Sequence, residues 1–281
     1  MNRTIRRILV PLDVSEFAEA ATVRACEIAK AHDATISGMV VLDSPGIRTS
    51  VAPADVSYWP LVQDTILKAT DDARERIRLA RDQFIAICEA EGVPHTETEM
   101  EGVPATRILE ASVLYDLLVM GLRTFFHFET QDQPGDSLAK VLGRTATPVV
   151  AVPSVRTSAP YRKVSVAWDG SFSSGRAFRD FMAFAAPYDL DLTVMTATDD
   201  ERQGETLLGQ ASAFLKSRGV ENFQTKSVRT ESIDEICSAA FAEADLVVAG
   251  IHSKKLLKDL FVGSFTKHLI DRGDVPLFLS H

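Results

Sequence analysis

The chain contains two copies of one domain, and this duplication constrains its fold more than any other feature of the sequence. Three segments of the first copy return in the same order in the second copy. They are RRILVPLDVS (6–15, returning as RKVSVAWDGS at 162–171), YDLLVMGLR (115–123, returning as ADLVVAGIH at 244–252) and RTATPVVAVP (144–153, returning as DRGDVPLFLS at 271–280). A repeat of this length indicates two consecutive domains rather than a short-period solenoid.

The boundary between the copies is predicted in PSVRTSAPY, residues 153–161, which is polar and contains two prolines. We therefore predict a first domain at 1–156 and a second at 160–281. The first copy is longer because it carries an insertion at about 43–70, after its second strand. The insertion contains Tyr58 and Trp59. It is either a lid over the first domain's ligand site or a disordered or packing loop, and the sequence leaves both open.

Each copy alternates short apolar runs with helical patterns. The strands predicted in the first copy are Ile8–Leu12, Thr35–Leu42, His95–Met100, Leu117–Met120 and Pro148–Val152. Helices are predicted between them, including Ile77–Ala90 and Ala105–Leu114. Strands that alternate with helices form a parallel sheet covered on both faces. The predicted fold is therefore α/β and Rossmann-like, with two tandem five-stranded, mostly parallel sheets and helices on both faces.

Composition excludes several classes of protein. A net charge of −9 argues against nucleic acid or an anionic membrane as the main partner. No stretch approaches the roughly 18 apolar residues of a membrane-spanning helix. Only three cysteines are present, and they are scattered without metal-ligand spacing. We expect a cytoplasmic protein.

Residues at the ends of predicted strands mark a candidate ligand site, because parallel sheets bind ligands beyond the carboxyl ends of their strands. In the second copy these residues are Asp169, after the first strand, and Gly250, after the fourth. Gly263 and Ser264 then open a helix, with Ser264 as the expected N-cap. Free amides and the dipole at a helix N-terminus favour an anion.

Both copies resemble universal stress protein domains, and the whole chain resembles a tandem member of that family. The resemblance rests on the aspartate in VPLDVS, the strand DLLVMG and the terminal TPVVAVP. It implies an adenine nucleotide alpha-hydrolase-like fold. The ATP-binding branch of the family has a glycine, two residues, a glycine, nine residues, and then Gly-Ser or Gly-Thr. The second copy resembles this pattern at Gly250, Ser253, Gly263 and Ser264, with serine replacing the middle glycine.

The resemblance also implies a ligand and residue roles. The ligand would be ATP, or ADP or AMP, with or without Mg²⁺. Asp169 would hold the adenine or ribose edge, with Ala167 and Ala197 near the base. The phosphates would be surrounded by six residues, namely Gly250, Ser253, Gly263, Ser264, Phe265 and Thr266. The implied function is a stress-response regulatory or interaction protein that acts on a protein partner still to be identified.

Ser253 impairs this cradle at most and does not abolish it. If the position needs a positive φ, a residue other than glycine costs about 1–2 kcal/mol, or about one order of magnitude in affinity. The serine hydroxyl can return part of this cost by donating to phosphate. Nearby Lys254, Lys255 and Lys258 make the loop basic. They are equally consistent with a solvated helix face.

The first copy departs further from the pattern. Ten residues separate Thr124 from Gly135, and Asp136 stands where the second copy has Ser264. A carboxylate about 4 Å from a phosphate charge costs about 4 kcal/mol at an effective dielectric of 20. Asp136 is also a good N-cap. We predict that the first copy has lost triphosphate binding.

Catalytic motifs are sparse, so enzymatic activity is uncertain and a weak ATPase is the most we expect. The sequence has no P-loop and no Gly-x-Ser-x-Gly elbow. His252 and His268 flank the cradle but are better explained as exposed polar residues. A slow ATPase, another nucleotide-dependent enzyme of this fold, and a nucleotide-free scaffold with both sites degenerate remain alternatives.

The final strands of the two copies are predicted to pair within one chain. Pro148–Val152 and Pro276–Leu279 are apolar, and an unpaired apolar edge invites aggregation. The family resemblance implies the same pairing, because single-domain members of the family use this strand to dimerise. The result would be an intramolecular pseudo-dimer, and a further homodimer is left open.

Overall fold

The structure, a computed structural model, describes residues 5–51, 59–124, 137–154, 160–230, 232–242, 244–251, 264–273 and 275–281. The elements of the first half, in chain order, are β1 (Arg7–Pro11), α1 (Glu16–His32), β2 (Thr35–Leu42), α2 (Ser44–Val51), α3 (Trp59–Glu91), β3 (His95–Glu101), α4 (Pro104–Ser112), β4 (Leu117–Gly121), α5 (Ser137–Leu142) and β5 (Val149–Val152). The elements of the second half are β6 (Lys163–Ala167), α6 (Phe172–Ala185), β7 (Asp191–Ala197), α7 (Glu201–Ser217), β8 (Phe223–Val228), α8 (Ile233–Phe241), β9 (Leu246–Gly250), α9 (Ser264–Arg272) and β10 (Leu277–Ser280).

The two five-stranded sheets join into one sheet through their last strands. The order of the ten strands is β3-β2-β1-β4-β5-β10-β9-β6-β7-β8. All neighbours within each half run parallel, whereas β10 runs antiparallel to β5, with Phe278 opposite Val150. The pairing of the fifth strands predicted from the sequence is therefore confirmed. Strands β3 and β8 form the two outer edges of the sheet.

Helices cover both faces of the sheet, as the strand sequences predict. In β1, Ile8 and Val10 contribute to one buried cluster, and Leu9 contributes to the other. The first cluster includes residues of α1, α3, α6 and α7, and the second includes residues of α4, α5, α8 and α9. Because neither face of the central strands is solvated, strands such as β4 and β9 are continuously apolar rather than alternating, whereas the edge strands β3 and β8 are polar and largely exposed.

A serine at the matching position caps the first helix of each half. Ser15 Oγ accepts a hydrogen bond of 3.2 Å from the amide of Ala18, and Ser171 Oγ accepts one of 3.1 Å from the amide of Ser174. Each serine follows the aspartate at the end of the preceding strand by two positions. The cap therefore fixes the start of the helix beside the carboxyl end of the first strand.

Three predicted elements differ from the structure. Helix α3 begins at Trp59 rather than Ile77, because the insertion continues directly into this helix. Helix α4 ends at Ser112 rather than Leu114. The described part of the insertion, in α2 and the start of α3, is helical, so a disordered loop, one of the alternatives that the sequence left open, does not describe it. None of the helices in the described ranges has both the length and the apolar character to cross a membrane.

Candidate functional site

A cavity of about 360 Å³ lies at the carboxyl ends of three second-half strands, β6, β7 and β9. Its walls come from these strand ends and from the helices α7, α8 and α9. The described lining residues are Ala167, Trp168, Asp169, Ser174, Met195, Ala197, Thr198, Asp199, Gln203, Leu207, Thr230, Ile233, Ile236, Ala249, Gly250, Ser264, Phe265 and Thr266. This is the position at which an open α/β sheet binds its ligand.

Most of the predicted site residues meet at this cavity. Those that line it are Ala167, Asp169, Ala197, Gly250, Ser264, Phe265 and Thr266. The other two, Ser253 and Gly263, lie outside the described residues. Seven further residues discussed in the sequence analysis also lie outside the described residues, namely Tyr58, Gly135, Asp136, His252, Lys254, Lys255 and Lys258.

Asp169 is held by the turn that connects β6 to α6. Its Oδ1 accepts a hydrogen bond of 2.9 Å from the amide of Ser171 and one of 2.7 Å from the hydroxyl of Ser174. Gly170, which lies between Asp169 and Ser171, has a φ of 69°, a conformation that glycine adopts without strain. The turn therefore fixes the direction of the carboxylate at the edge of the cavity before any ligand arrives.

Gly250 is required by packing between β9 and α6. A Cβ atom at this position would lie 2.6 Å from the amide nitrogen of Ser174 and 2.6 Å from Ser173 Oγ. Both contacts are far closer than carbon atoms tolerate, and one of them is to backbone. The absence of a side chain lets the first turn of α6 approach the end of β9, and this approach brings Asp169 and Gly250 to the same cavity.

Helix α9 is tied to the same strand end. Buried Thr266 donates a hydrogen bond of 2.9 Å from Oγ1 to the carbonyl oxygen of Gly250. Helix α9 is described from Ser264 onward, and Gly263 before it lies outside the described residues, so the N-cap role expected of Ser264 stays a prediction. The amides in the first turn of a helix have no partners within that helix.

Trp168 is the main lining residue that sequence reasoning missed. Its Nε1 donates a hydrogen bond of 2.9 Å to the carbonyl oxygen of Leu207 in α7. A Cβ on Gly175 would lie 3.6 Å from Trp168 Cζ3, so the indole packs closely over α6 at this glycine. The indole is thus fixed between two helices while one part of it lines the cavity. The sequence signal that could have identified Trp168 is its position between Ala167 and Asp169, two residues predicted to be in the site.

The described lining is apolar with a polar rim. It contains two carboxylates, Asp169 and Asp199, but no lysine, arginine, histidine or cysteine among the described residues. Gln203 accepts a hydrogen bond of 3.1 Å at Oε1 from the hydroxyl of Thr198, which orients its amide group at the rim. Within the described ranges, no group of three or more histidine, cysteine or acidic side chains could hold a metal ion.

His268 lies beside the site on α9 and connects it to α8. Its Nε2 is 3.6 Å from Asp234 Oδ1, and its Nδ1 is 3.2 Å from the carbonyl oxygen of Ser264. His268 does not line the cavity with the other residues. These contacts place His268 between α8 and α9.

The matching place in the first half is covered. Leu12 and Asp13, which correspond to Trp168 and Asp169, are 2% and 3% exposed. Helix α2 begins directly after β2, where Asp43 Oδ1 accepts a hydrogen bond of 2.9 Å from the amide of Gly46. Ile47 of this helix is buried in the same cluster as Leu12. The described start of the insertion therefore packs against the strand ends.

Comparison with known proteins identifies relatives of both halves. The sequence pattern of the Universal stress protein family matches residues 4–153 and again residues 160–281. Universal stress protein MJ0531 of Methanocaldococcus jannaschii is 32% identical over 120 residues, which are 41% of this chain and 64% of that relative.

Solved structures resemble the chain over different spans. A universal stress protein from Archaeoglobus fulgidus aligns with 98% of this chain and 97% of its own, with a TM-score of 0.71 and 18% identity. A universal stress protein in complex with cAMP aligns with 44% of this chain and 98% of its own, with a TM-score of 0.36 and 25% identity. The first alignment shows that the fold extends over both halves.

Proposed function

The chain belongs to the universal stress protein family, with one family domain in each half, and from this premise we propose that its second half binds an adenine nucleotide and that the protein acts as a regulatory module. The proposed ligand is ATP, ADP or AMP, with or without Mg²⁺ on its phosphates. The observation that carries this proposal is the cavity itself. Its volume of about 360 Å³ lies within the usual range for small-molecule sites.

The apolar part of the cavity suits a nucleoside. Ala167 and Ala197 are small residues at the ends of β6 and β7, and they leave room for a base against Met195. Asp169 is oriented by its own turn and can accept hydrogen bonds from ribose hydroxyls. Asp169 therefore combines the turn role, which its hydrogen bonds support, with the ligand role implied by the family resemblance.

The phosphates are proposed to lie against the first turn of α9. Ser264, Phe265 and Thr266 line the cavity there, and amides in a first helical turn favour anions. The described lining supplies no basic side chain, but Lys267 directly follows Thr266 in the sequence, and three lysines lie in the segment between Ser253 and Gly263. We propose that bound nucleotide also contacts this segment and alters the surface that it offers to a protein partner.

The chemistry of the lining favours binding over turnover. Two carboxylates line the cavity, but the described residues there include no histidine, lysine or cysteine to act as nucleophile or general base. Single-turnover incubation with ATP should therefore leave the nucleotide intact for many minutes. Formation of ADP within that time would instead support the slow-ATPase alternative.

Identification of the bound molecule tests the proposal directly. Purified protein is denatured, and the small molecules that it releases are identified by mass spectrometry. Titration calorimetry with ATP, ADP and AMP then measures affinity, with GTP as the control for the base. Release of an adenine nucleotide, or saturable binding of one, supports the proposal. No released nucleotide and no heat with any of the three would leave the scaffold alternative.

A further inference from the structure

Two cysteines of the first half lie in direct contact inside the protein. Cys26 of α1 and Cys88 of α3 have their sulfur atoms 3.8 Å apart, within the range of a thiol hydrogen bond. Both side chains are 0% exposed. They are 62 positions apart in the chain, so folding alone brings them together. Counting from Asp13 and Asp169, the second half has Met182 where the first has Cys26, so the pair belongs to one half only.

We propose that Cys26 and Cys88 form a reversible dithiol–disulfide site, which hydrogen peroxide oxidises and small thiols reduce. The sulfur atoms need to approach by a little under 2 Å to reach the length of a disulfide bond. Rotation of two side chains on adjacent helices can supply such a movement. The third cysteine, Cys237, lies in α8 of the second half and is not part of the pair.

The two thiols are not equivalent. Cys26 donates its S–H to Cys88, and this hydrogen bond lowers the pKa of Cys88 despite its burial. The same hydrogen bond, together with burial, raises the pKa of Cys26. Thiolates rather than thiols react with peroxide. Cys88 also lies closer to the end of its helix than Cys26 does, three residues against six, and is therefore more readily exposed by local opening. Cys88 is assigned as the attacking sulfur and Cys26 as the resolving sulfur.

The reaction balances with one molecule of peroxide. The Cys88 thiolate attacks one peroxide oxygen, the O–O bond breaks, and the departing hydroxide takes a proton to become water. Cys88 is then a sulfenic acid. The Cys26 sulfur attacks the Cys88 sulfur, the S–O bond breaks, and a second water leaves with the Cys26 proton. Two thiols lose two electrons to one peroxide, and two waters form.

The position of the pair near two helix ends provides a route for access. Cys88 is three residues from the end of α3, and Cys26 is six residues from the end of α1. Nearby, Lys30 Nζ and Glu91 Oε2 form an ion pair of 2.5 Å between the same helices, and both side chains are well exposed. Helix ends open locally more readily than helix centres. A small uncharged oxidant can therefore reach the pair during such openings.

Oxidation would attach α3 covalently to α1. Helix α3 begins within the insertion, and α1 begins at the turn that holds Asp13. The disulfide would thus fix the helical insertion to the element that follows β1. The oxidation state of the pair would act on the first half, whereas the proposed nucleotide site lies in the second.

The test uses the full-length protein treated with hydrogen peroxide and then alkylated under denaturing conditions. Reduced protein should take up three alkyl groups, one for each cysteine, and oxidised protein should take up one, on Cys237. Peptide mapping should find Cys26 joined to Cys88. Dithiothreitol should restore three alkylation sites. The oxidised protein should also unfold several degrees higher, because the cross-link closes a long loop.

Variants separate the roles of the two sulfurs. In Cys26→Ser, dimedone should trap a sulfenic acid on Cys88, whereas Cys88→Ser should give little labelling at Cys26. Cys237→Ser is the matched control and should cross-link like the wild type. Wild-type protein that keeps three alkylation sites after prolonged peroxide, or that forms only intermolecular dimers, would overturn the proposal. These outcomes do not depend on whether either serine variant folds.

Discussion

Thr266 donates its hydroxyl to the carbonyl oxygen of Gly250 at 2.9 Å, and this bond joins the start of α9 to the end of β9. In the first half the matching carbonyl, that of Gly121, accepts from Thr124 at 2.8 Å. The donor there is only three residues further along the chain. In the second half this hydrogen bond thus positions a helix over the cavity, whereas in the first half the matching hydrogen bond closes a local turn.

Replacing Thr266 by valine should therefore weaken both stability and binding. Valine has the shape of threonine but cannot donate, so the free energy of unfolding should fall by about 0.5–1.5 kcal/mol. Adenine nucleotide affinity should fall as well, because α9 is less firmly placed. Thr206→Val is the matched control, since Thr206 makes a similar 2.8 Å bond to Arg202 on the exposed face of α7. Urea unfolding and calorimetry of both variants give the comparison.

A negative charge at Ser264 should reproduce the defect predicted for the first half. Ser264→Asp places a carboxylate beside the proposed phosphates, and repulsion should weaken ATP binding at least tenfold. Ser264→Asn has nearly the same shape without the charge and should bind much closer to wild type. Far-ultraviolet circular dichroism should be unchanged in both. Equal affinity in the two variants would place the phosphates elsewhere.

Gly250→Ala should destabilise the protein because the new Cβ would lie 2.6 Å from the amide nitrogen of Ser174. We expect a loss of about 1–3 kcal/mol, typical of overpacking. The control is Gly209→Ala in α7, where a Cβ meets nothing within 4 Å. That change should stabilise the helix by about 0.5–1 kcal/mol. If both variants unfold at the same urea concentration, the packing argument fails.

Asp169 variants separate turn formation from ligand binding. Asparagine can still accept hydrogen bonds from Ser171 and Ser174, so Asp169→Asn should keep nearly the wild-type stability. Its affinity for adenosine nucleotides should fall several-fold, because a neutral acceptor binds ribose hydroxyls less strongly. Asp169→Ala should lose both stability and affinity. Unchanged affinity in the asparagine variant would show that Asp169 serves only the turn.

His32 should make stability depend on pH. It is buried between the halves, 5.8 Å from the ring centroids of both Phe184 and Tyr188. Burial lowers the pKa of His32. The unfolded chain therefore binds a proton that the folded chain resists, so stability is complete above about pH 6.5 and falls as the pH drops below that value. Urea midpoints measured across this range should shift less in His32→Gln than in wild type.

Strands were more predictable than helices, for a physical reason. Strand β2 runs from Thr35 to Leu42 as predicted, because a strand buried on both faces is a single apolar run. The first turns of α3 carry a weaker signal: Val62, Ile66, Ala69 and Ala73 pack against the core at helical spacing, but Leu67 beside them is 64% exposed. Surface ion pairs such as Lys68–Asp64, at 2.8 Å, flank this narrow stripe.

The residues of the candidate site were likewise predictable only in part from the sequence. Asp169 and Gly250 could be found because strand ends meet at one edge of a sheet. Leu207 and Ile233 could not, because they belong to helices whose rotation over the cavity is set by tertiary packing. Gly250 was expected to serve the phosphates, and the structure adds a packing requirement that no spacing pattern reveals.

The antiparallel pairing of β5 with β10 makes the two halves of the sheet run in opposite directions. Because strands within each half are parallel, the reversal at this joint points the carboxyl ends of the two halves toward opposite rims. The cavity beside Asp169 opens on one rim, and buried Asp13 with helix α2 lies on the other. The described start of the insertion therefore lies on the rim opposite to this cavity. A partner that senses the nucleotide would approach one rim alone, and the opposite rim would stay available for a different contact, as in a connector with two distinct ends.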